Sequence, residues 1–181
     1  GKEQTGALCK ENASPCPFAS RSLVGSALEA SAPEVKFTQF GVSWNCTSTL
    51  KGKVKVGGGA SVNADFSDGT FGNCSIANGS CTAGKIEAPG SSFTASGGGN
   101  GTLTLNSLKV TMNCTYWGTP VTCIYANAKV SVPVTGGSPA KAVGTNVPME
   151  RLVGSSEACG ATLSWSGTYS FSQPSPMFLT S

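Results

Sequence analysis

Eight cysteines and no histidine constrain this chain more than any other feature of its 181 residues. The cysteines are Cys9, Cys16, Cys46, Cys74, Cys81, Cys114, Cys123 and Cys159. Without histidine a Cys/His zinc site is excluded, and the pairs of a four-cysteine zinc site usually lie about two to four residues apart. The closest pairs here, in CKENASPC and CSIANGSC, are seven positions apart. The even count therefore predicts disulfides, and with them an oxidising compartment.

The disulfide pairing has to be inferred from local patterns, because eight cysteines allow about 105 connectivities. In VTMNCTYWGTPVTCIYA, a turn centred on Gly118-Thr119 places Cys114 opposite Cys123. Pro120 weakens this register, because it lacks the N–H that would close a two-residue turn. If Cys9–Cys16 and Cys74–Cys81 close short loops and Cys114–Cys123 forms across the hairpin, Cys46 and Cys159 remain for one long-range bridge.

Apolar residues alternate with polar ones along most of the chain, which is typical of strands with one buried face. The alternating sets are Phe40, Val42, Trp44 and Cys46; Leu50, Val54 and Val56; Ala60, Val62, Ala64 and Phe66; Leu103 and Leu105; Leu108, Val110, Met112 and Cys114; Val130, Val132 and Val134; and Leu163, Trp165, Tyr169 and Phe171. A change of parity at Asn106-Ser107 predicts a bulge or bend. Pro133 predicts a sheet edge or strand end. Trp44 and Trp165, in phase with their apolar faces, are predicted to be buried.

These patterns predict an all-β fold, an antiparallel sandwich or barrel of about 8–10 strands braced by disulfides. Residues 1–36 lack sustained alternation and are predicted to form a disulfide-braced N-terminal arm, with 37–181 as a single β domain. The apolar stretch from Phe18 to Leu28 leads us to expect that the arm contacts another copy of the protein. The alternative is that the arm folds back on its own domain and covers an edge.

The missing histidine also removes the Ser-His-Asp triad and the Cys-His pair, and neither a G-x-S-x-G elbow nor a phosphate-binding P-loop is present. We therefore predict no enzyme activity, no catalytic residue, no cofactor and no metal. The close acidic pair Asp65 and Asp68, in ADFSDG, precedes a glycine and is typical of a turn. Weak calcium binding and a carboxylate pair for glycoside hydrolysis are the alternatives for these two residues.

Charge and hydropathy exclude two further classes of partner. Lys51, Lys53 and Lys55 are the closest basic group and share one side of a strand, as a solvated or edge-protecting face. Nucleic-acid binding normally needs a denser basic surface. No apolar run approaches the ~20 residues of a membrane-spanning helix, and the start GKEQTGALCKENASPC is typical of a mature N-terminus left by removal of a leader.

Two features bear on carbohydrate. Trp117 or Tyr116, beside the predicted hairpin turn, could stack on a sugar ring, although aromatic residues next to a turn usually pack locally. Asn-x-Ser/Thr sequons, which permit N-glycosylation, occur at Asn12, Asn45, Asn73, Asn78, Asn100 and Asn113. The alternative is that these asparagines are turn and strand-end residues in a chain rich in Ser and Thr.

Several segments carry a resemblance: TGALCKENASPCPF, SWNCTSTLKGKV, TASGGGNGTLTL, the NCTY hairpin, VPVTGGSPAKA and CGATLSWSGTYSFSQPSPMFLTS. Together they resemble a group of secreted, cysteine-containing, β-rich proteins of soil actinobacteria, in particular the Solirubrobacter-like lineage. The resemblance covers most of the chain as an order of cysteines, glycines and strand motifs. It implies export and a β-rich disulfide fold, and it implies no catalytic residue.

The sequence thus predicts a secreted protein, extracellular or at the cell surface. Low charge, abundant Ser, Thr and Gly, and covalent bracing suit a structural role, as a self-assembling fibre or coat subunit. The alternative is an extracellular module that binds carbohydrate or protein. The expected partners are copies of the chain itself, cell-surface components or a polysaccharide.

Overall fold

The computed structural model describes residues 6–56, 60–75 and 81–181. The strands are β1 (Ala7–Cys9), β2 (Ala27–Gln39), β3 (Val42–Val56), β4 (Ser61–Ser75), β5 (Cys81–Gly97), β6 (Asn100–Tyr116), β7 (Thr119–Thr135), β8 (Lys141–Arg151), β9 (Thr162–Gln173) and β10 (Phe178–Thr180). One turn of 3-10 helix lies at Phe18–Ser20. No helix within these ranges is long and apolar enough to span a membrane. The all-β, disulfide-braced fold predicted from the sequence is confirmed.

Strands β2 to β9 form a closed antiparallel barrel in which each strand pairs with its neighbours in sequence. The barrel closes where β2 pairs with β9, as in the opposed residues Phe37 and Trp165. Closure gives every barrel strand two neighbours and so removes the exposed edges of an open sheet. Of the two predicted architectures, the barrel is therefore the one that forms.

Consecutive hairpins of the barrel turn back at alternate ends. The connections β2–β3, β6–β7 and β8–β9, together with the last residue of β4 and the first of β5, lie at one end, here called the disulfide rim, because three disulfides lie near it. The opposite end, here called the capped end, is covered by the two-stranded sheet of β1 and β10. Leu8 and Leu179 from that sheet are buried within the main core.

The N-terminal segment folds back on its own barrel. Strand β1 pairs with β10 of the same chain, and the backbone N–H of Cys16 donates to the carbonyl of Ser181 over 2.8 Å. The segment covers a barrel end and not a sheet edge. Strand β2 begins at Ala27, so the barrel starts before the boundary predicted at residue 36.

The predicted inward faces form the core with few exceptions. Trp44 and Trp165 are buried, as expected. The parity change at Asn106-Ser107 is confirmed, since Ser107 has a φ of 53° and buried positions shift from Leu105 to Leu108. Phe40, predicted to share the buried face of Trp44, is 82% exposed, because the strand has left the core at that point and turned. The prediction is also wrong for Val42 and Val56, the first and last residues of β3, and for Ala60, which precedes β4: all three are exposed.

Strands β7 and β8 part in the middle. Within the described strands they pair at Tyr125↔Arg151, Ala126↔Glu150, Val134↔Ala142 and Thr135↔Lys141. These pairs belong to one register, so residues 127–133 and 143–149 lie opposite each other without ladder pairing, in a stretch here called the β7–β8 seam. Asn127 spans it by donating its amide to the carbonyl of Pro148 (2.7 Å), and within β7 its side-chain oxygen accepts from the N–H of Lys129 (3.0 Å). Pro133 and Pro148 bring no N–H to the seam.

A buried hydrogen-bonded chain crosses the core on the far side of the barrel. The Tyr169 hydroxyl donates to Ser48 Oγ over 2.7 Å, and Ser48 donates to the carbonyl of Thr70 over 2.9 Å. Burial raises the pKa of Tyr169 above its ordinary value, and the hydrogen bond with Ser48 offsets only part of that increase.

We expect alkaline pH to destabilise the protein through Tyr169. An unfolded tyrosine ionises near pH 10, whereas the buried phenol stays protonated, so above about pH 10 the unfolded state binds fewer protons and the free energy of unfolding falls as pH rises. The slope from this group is about 1.4 kcal/mol per pH unit. Urea unfolding from neutral to alkaline pH measures it, and Tyr169→Phe should show a shallower fall. Equal slopes in both proteins would contradict the assignment.

Candidate functional site

Three disulfides brace the disulfide rim, two between neighbouring strands and one between a strand and a connection. All eight cysteines form bridges, as predicted, and the pairs are Cys9–Cys16, Cys46–Cys74, Cys81–Cys114 and Cys123–Cys159. The first pair is confirmed, and the predicted pairs Cys74–Cys81, Cys114–Cys123 and Cys46–Cys159 are wrong. The rim bridges tie β3 to β4, β5 to β6, and β7 to the β8–β9 connection.

Strand register explains why Cys114 and Cys123 do not pair. The β6–β7 turn is centred on Trp117-Gly118, one residue earlier than predicted, so Cys114 lies opposite Val121 and Cys123 opposite Met112. Moving a hairpin turn by one residue moves every cross-strand partner by two. Cys81 instead lies directly opposite Cys114 in the β5–β6 ladder.

The rim carries exposed apolar side chains on its connections. Trp117 and Val153 are fully exposed, and Phe40 is 82% exposed. Phe40 stands on the β2–β3 turn, Trp117 on the β6–β7 turn, and Val153 in the β8–β9 connection. Because β2–β3 and β6–β7 are four strands apart around the eight-stranded barrel, Phe40 and Trp117 stand on opposite sides of the rim.

Both aromatic residues occupy strained turn positions. Phe40-Gly41 and Trp117-Gly118 are two-residue hairpin turns with positive φ at both positions: 55° and 73° in the first, 54° and 80° in the second. The first position of such a turn favours Asn, Asp or Gly, and other residues there cost on the order of 1 kcal/mol. Neither ring is buried enough to offset this cost. Strain retained without a packing benefit is characteristic of functional positions.

A hydrogen-bonded support holds the β2–β3 turn in place. Gln39 donates its amide to the Tyr125 hydroxyl (2.7 Å) and to the carbonyl of Thr162 (2.8 Å), and Tyr125 donates to the carbonyl of Gly160 (2.9 Å). The Phe40 ring lies over Gly160, where a Cβ would be only 2.9 Å from Cζ. Burial raises the pKa of Tyr125, and the hydrogen bond from Gln39 lowers it in part. The rim is thus pre-organised by side chains as well as by disulfides.

The described part of the rim is nearly uncharged. Within 39–47, 71–75, 81–84, 112–123 and 151–161, the charged residues are Arg151 and Glu157. Arg151 donates from Nη1 to the carbonyl of Cys159 over 2.6 Å, so its guanidinium holds the β8–β9 connection. Of the two aromatic residues predicted as candidates for sugar stacking, Trp117 has an exposed ring, whereas Tyr116 is partly buried with its hydroxyl 3.9 Å from Cys81 Sγ.

One surface groove of about 570 Å³ is lined by two groups that are separate in the sequence: the lysines at 51, 53 and 55, and the acidic pair Asp65 and Asp68. Lys53 lies opposite Asp65, and β4 crosses so closely that a Cβ on Gly52 would be 2.2 Å from the Asp65 carbonyl oxygen. Asp65 accepts a hydrogen bond from Ser67. Within the described ranges, no group of three Cys, Asp or Glu residues is arranged to hold a metal ion. The lysines are on a solvated face, since β3 is not an edge strand.

The sequons differ in what their side chains do. Asn12 donates to the carbonyl of Gly98 (3.3 Å), and Asn100 accepts from the N–H of Gly136 (2.9 Å), both at the capped end. Asn73 donates to Thr47 Oγ1 (3.4 Å), and Asn113 is exposed on the outer face of β6. Asn45 is half-buried, and Asn78 lies outside the described residues. Glycosylation stays a prediction.

The barrel interior is filled by side chains. A void between Leu105, Val132 and Trp165 measures about 20 Å³, close to the size needed for one water molecule. Eight-stranded barrels either fill their interior in this way or hold one small ligand. A ligand of the size of a sugar therefore has to bind to the outer surface or to the rim.

Comparison of the chain with protein-family models, with curated proteins and with solved structures finds no match. The resemblance to secreted actinobacterial proteins stays a prediction.

Proposed function

We propose that this protein is an extracellular carbohydrate-binding module that holds a polysaccharide at the disulfide rim. The observation that carries the proposal is Trp117, an indole fully exposed at the tip of a strained turn. Four disulfides that use all eight cysteines support secretion into an oxidising compartment. Self-assembly into a fibre or coat stays a prediction, and the pairing of β1 with β10 within the chain does not favour the arm as its connector.

The distribution of the exposed rings favours carbohydrate over protein as the ligand. A stable protein interface needs a contiguous surface of roughly 800 Å² on each partner, with an apolar centre. Phe40 and Trp117 instead stand apart on opposite sides of a nearly uncharged rim. An isolated aromatic face beside neutral hydrogen-bonding groups suits the apolar faces and hydroxyl groups of a sugar.

Rigidity supports the same ligand class. The bridge Cys81–Cys114 lies on the β6 strand that leads directly to Trp117, and Cys123 anchors the strand that leaves it. A ring held in one place before binding loses little conformational entropy when the ligand arrives. Weak stacking contacts can then contribute their full energy to affinity.

We expect the protein to bind at least one insoluble polysaccharide and the Trp117→Ala variant to bind it about tenfold more weakly, which corresponds to ~1.4 kcal/mol. Co-sedimentation with cellulose, chitin, xylan and mannan measures this. Phe18→Ala is the matched control, because Phe18 is 77% exposed but lies outside the rim. The control should bind like the native protein.

Three results would contradict the proposal. They are failure to bind any of the four polysaccharides, equal binding by Trp117→Ala, and release of soluble sugar, which would indicate an enzyme. Electron microscopy of the same preparation without polysaccharide tests the self-assembly prediction, because a fibre or coat subunit should form ordered polymers.

A further inference from the structure

A second surface feature lies below the rim, on the outer face of β5 to β8. It is a groove of about 610 Å³, within the range of ligand sites. Its lining includes Glu87, Pro89, Lys109, Asn127, Glu150 and Leu152. Lys109 Nζ and Glu87 Oε2 are 3.9 Å apart, and Leu152 is 41% exposed.

Local backbone features create this groove. It lies where β7 and β8 begin to part at the seam, next to Asn127. On its other side Ser107, with a φ of 53°, kinks β6. Two irregularities in neighbouring strands thus open a concave site on a barrel wall that would otherwise be smoothly convex.

An uncharged path joins this groove to Trp117 along the outer face of the β6–β7 hairpin. The outward cross-strand pairs on the path are Thr115↔Pro120, Asn113↔Thr122 and Thr111↔Ile124. From Thr119 to Asn127 the strand rises about 27 Å, at ~3.4 Å per residue. The ring at the top, the uncharged path and the groove at the bottom therefore lie in line along one hairpin.

We infer that the groove is a second subsite for the polysaccharide proposed to bind at Trp117, so that the ligand is an extended, neutral chain several sugar units long. This inference rests on the proposed function. The carboxylates of Glu87 and Glu150 offer acceptors for sugar hydroxyls, and Pro89 and Leu152 offer apolar contact for a ring face. Lys109 and Arg151 balance the two carboxylates, which matches a ligand without net charge.

Chain length gives the first test. For whichever of the cello-, chito-, xylo- and manno-oligosaccharides the native protein binds, we expect the hexasaccharide to bind at least tenfold more tightly than the disaccharide by isothermal titration calorimetry. Glu150→Gln should lower the affinity for the hexasaccharide about tenfold. Glu34→Gln is the matched control, since Glu34 is an exposed carboxylate on β2, away from the groove, and should change nothing.

A steric variant tests the path itself. Asn113→Arg places a long side chain midway between Trp117 and the groove, and it should weaken hexasaccharide binding about tenfold while leaving disaccharide binding unchanged. Thermal unfolding of each variant establishes that it is folded. Binding that depends on Trp117 but not on chain length, Glu150 or Asn113 would overturn the second subsite and leave the proposed function intact. If the protein binds no oligosaccharide of the four series, both the second subsite and the proposed function are overturned.

Discussion

Reduction of all four disulfides is expected to unfold the protein or bring it close to unfolding at room temperature. The three rim bridges close loops of 28, 33 and 36 residues, and each should stabilise the fold by roughly 3–4 kcal/mol through restriction of the unfolded chain. Their sum, of order 10 kcal/mol, is comparable with the whole stability of a typical domain. Circular dichroism and urea unfolding with and without a reductant measure the loss.

A graded control is available within the chain. The Cys9–Cys16 bridge closes a loop of 7 residues, so its replacement by two serines should cost only about 2 kcal/mol. Intact-mass measurement should show a gain of one hydrogen per cysteine on full reduction. A native spectrum and unchanged urea midpoint after complete reduction, free thiols in the native protein, or bound zinc would contradict the prediction.

The Trp165→Ala variant is expected to lose about 3–5 kcal/mol of unfolding free energy, the usual range for a buried aromatic residue replaced by alanine. Trp165 is buried where the barrel closes, opposite Phe37 on β2 and Val147 on β8. Its ring packs edge to face on Tyr169, with centroids 5.8 Å apart. It also borders the core void, so truncation enlarges an existing cavity.

Trp117→Ala is the matched control for this experiment, because it removes the same side chain from a fully exposed position. Its unfolding free energy should change by less than about 0.5 kcal/mol. The urea midpoints of the two variants, compared at an unchanged m-value, measure both changes in unfolding free energy. A loss below 1 kcal/mol in Trp165→Ala would mean that Trp165 does not lie in the core. Equal losses in the two variants would contradict the difference in burial.

Local alternation in the sequence predicts much of the core. Trp44 and Trp165 face inward as their parity requires, and so do the alternate apolar residues from Leu103 to Cys114. The predicted bend lies at Ser107. This succeeds because the two faces of a strand alternate with an exact period of two, whatever the strand pairs with. Alternation fails at Phe40, Val42 and Val56, which lie in a turn or at the ends of β3, because the periodicity no longer reports burial where a strand leaves the core.

The sequence determined that the chain would be all-β, disulfide-bonded and without the residues of a histidine-dependent active site, since composition and short-range periodicity decide those properties. The tertiary structure decided the disulfide pairing, the choice of barrel over sandwich and the position of the arm. Each depends on which distant strands lie side by side, and a shift of one residue in a single turn changes the partners. The candidate site was decided in the same way: Phe40, Trp117 and Val153 lie on the same rim, although apart from one another, only because an up-and-down barrel returns alternate turns to the same end.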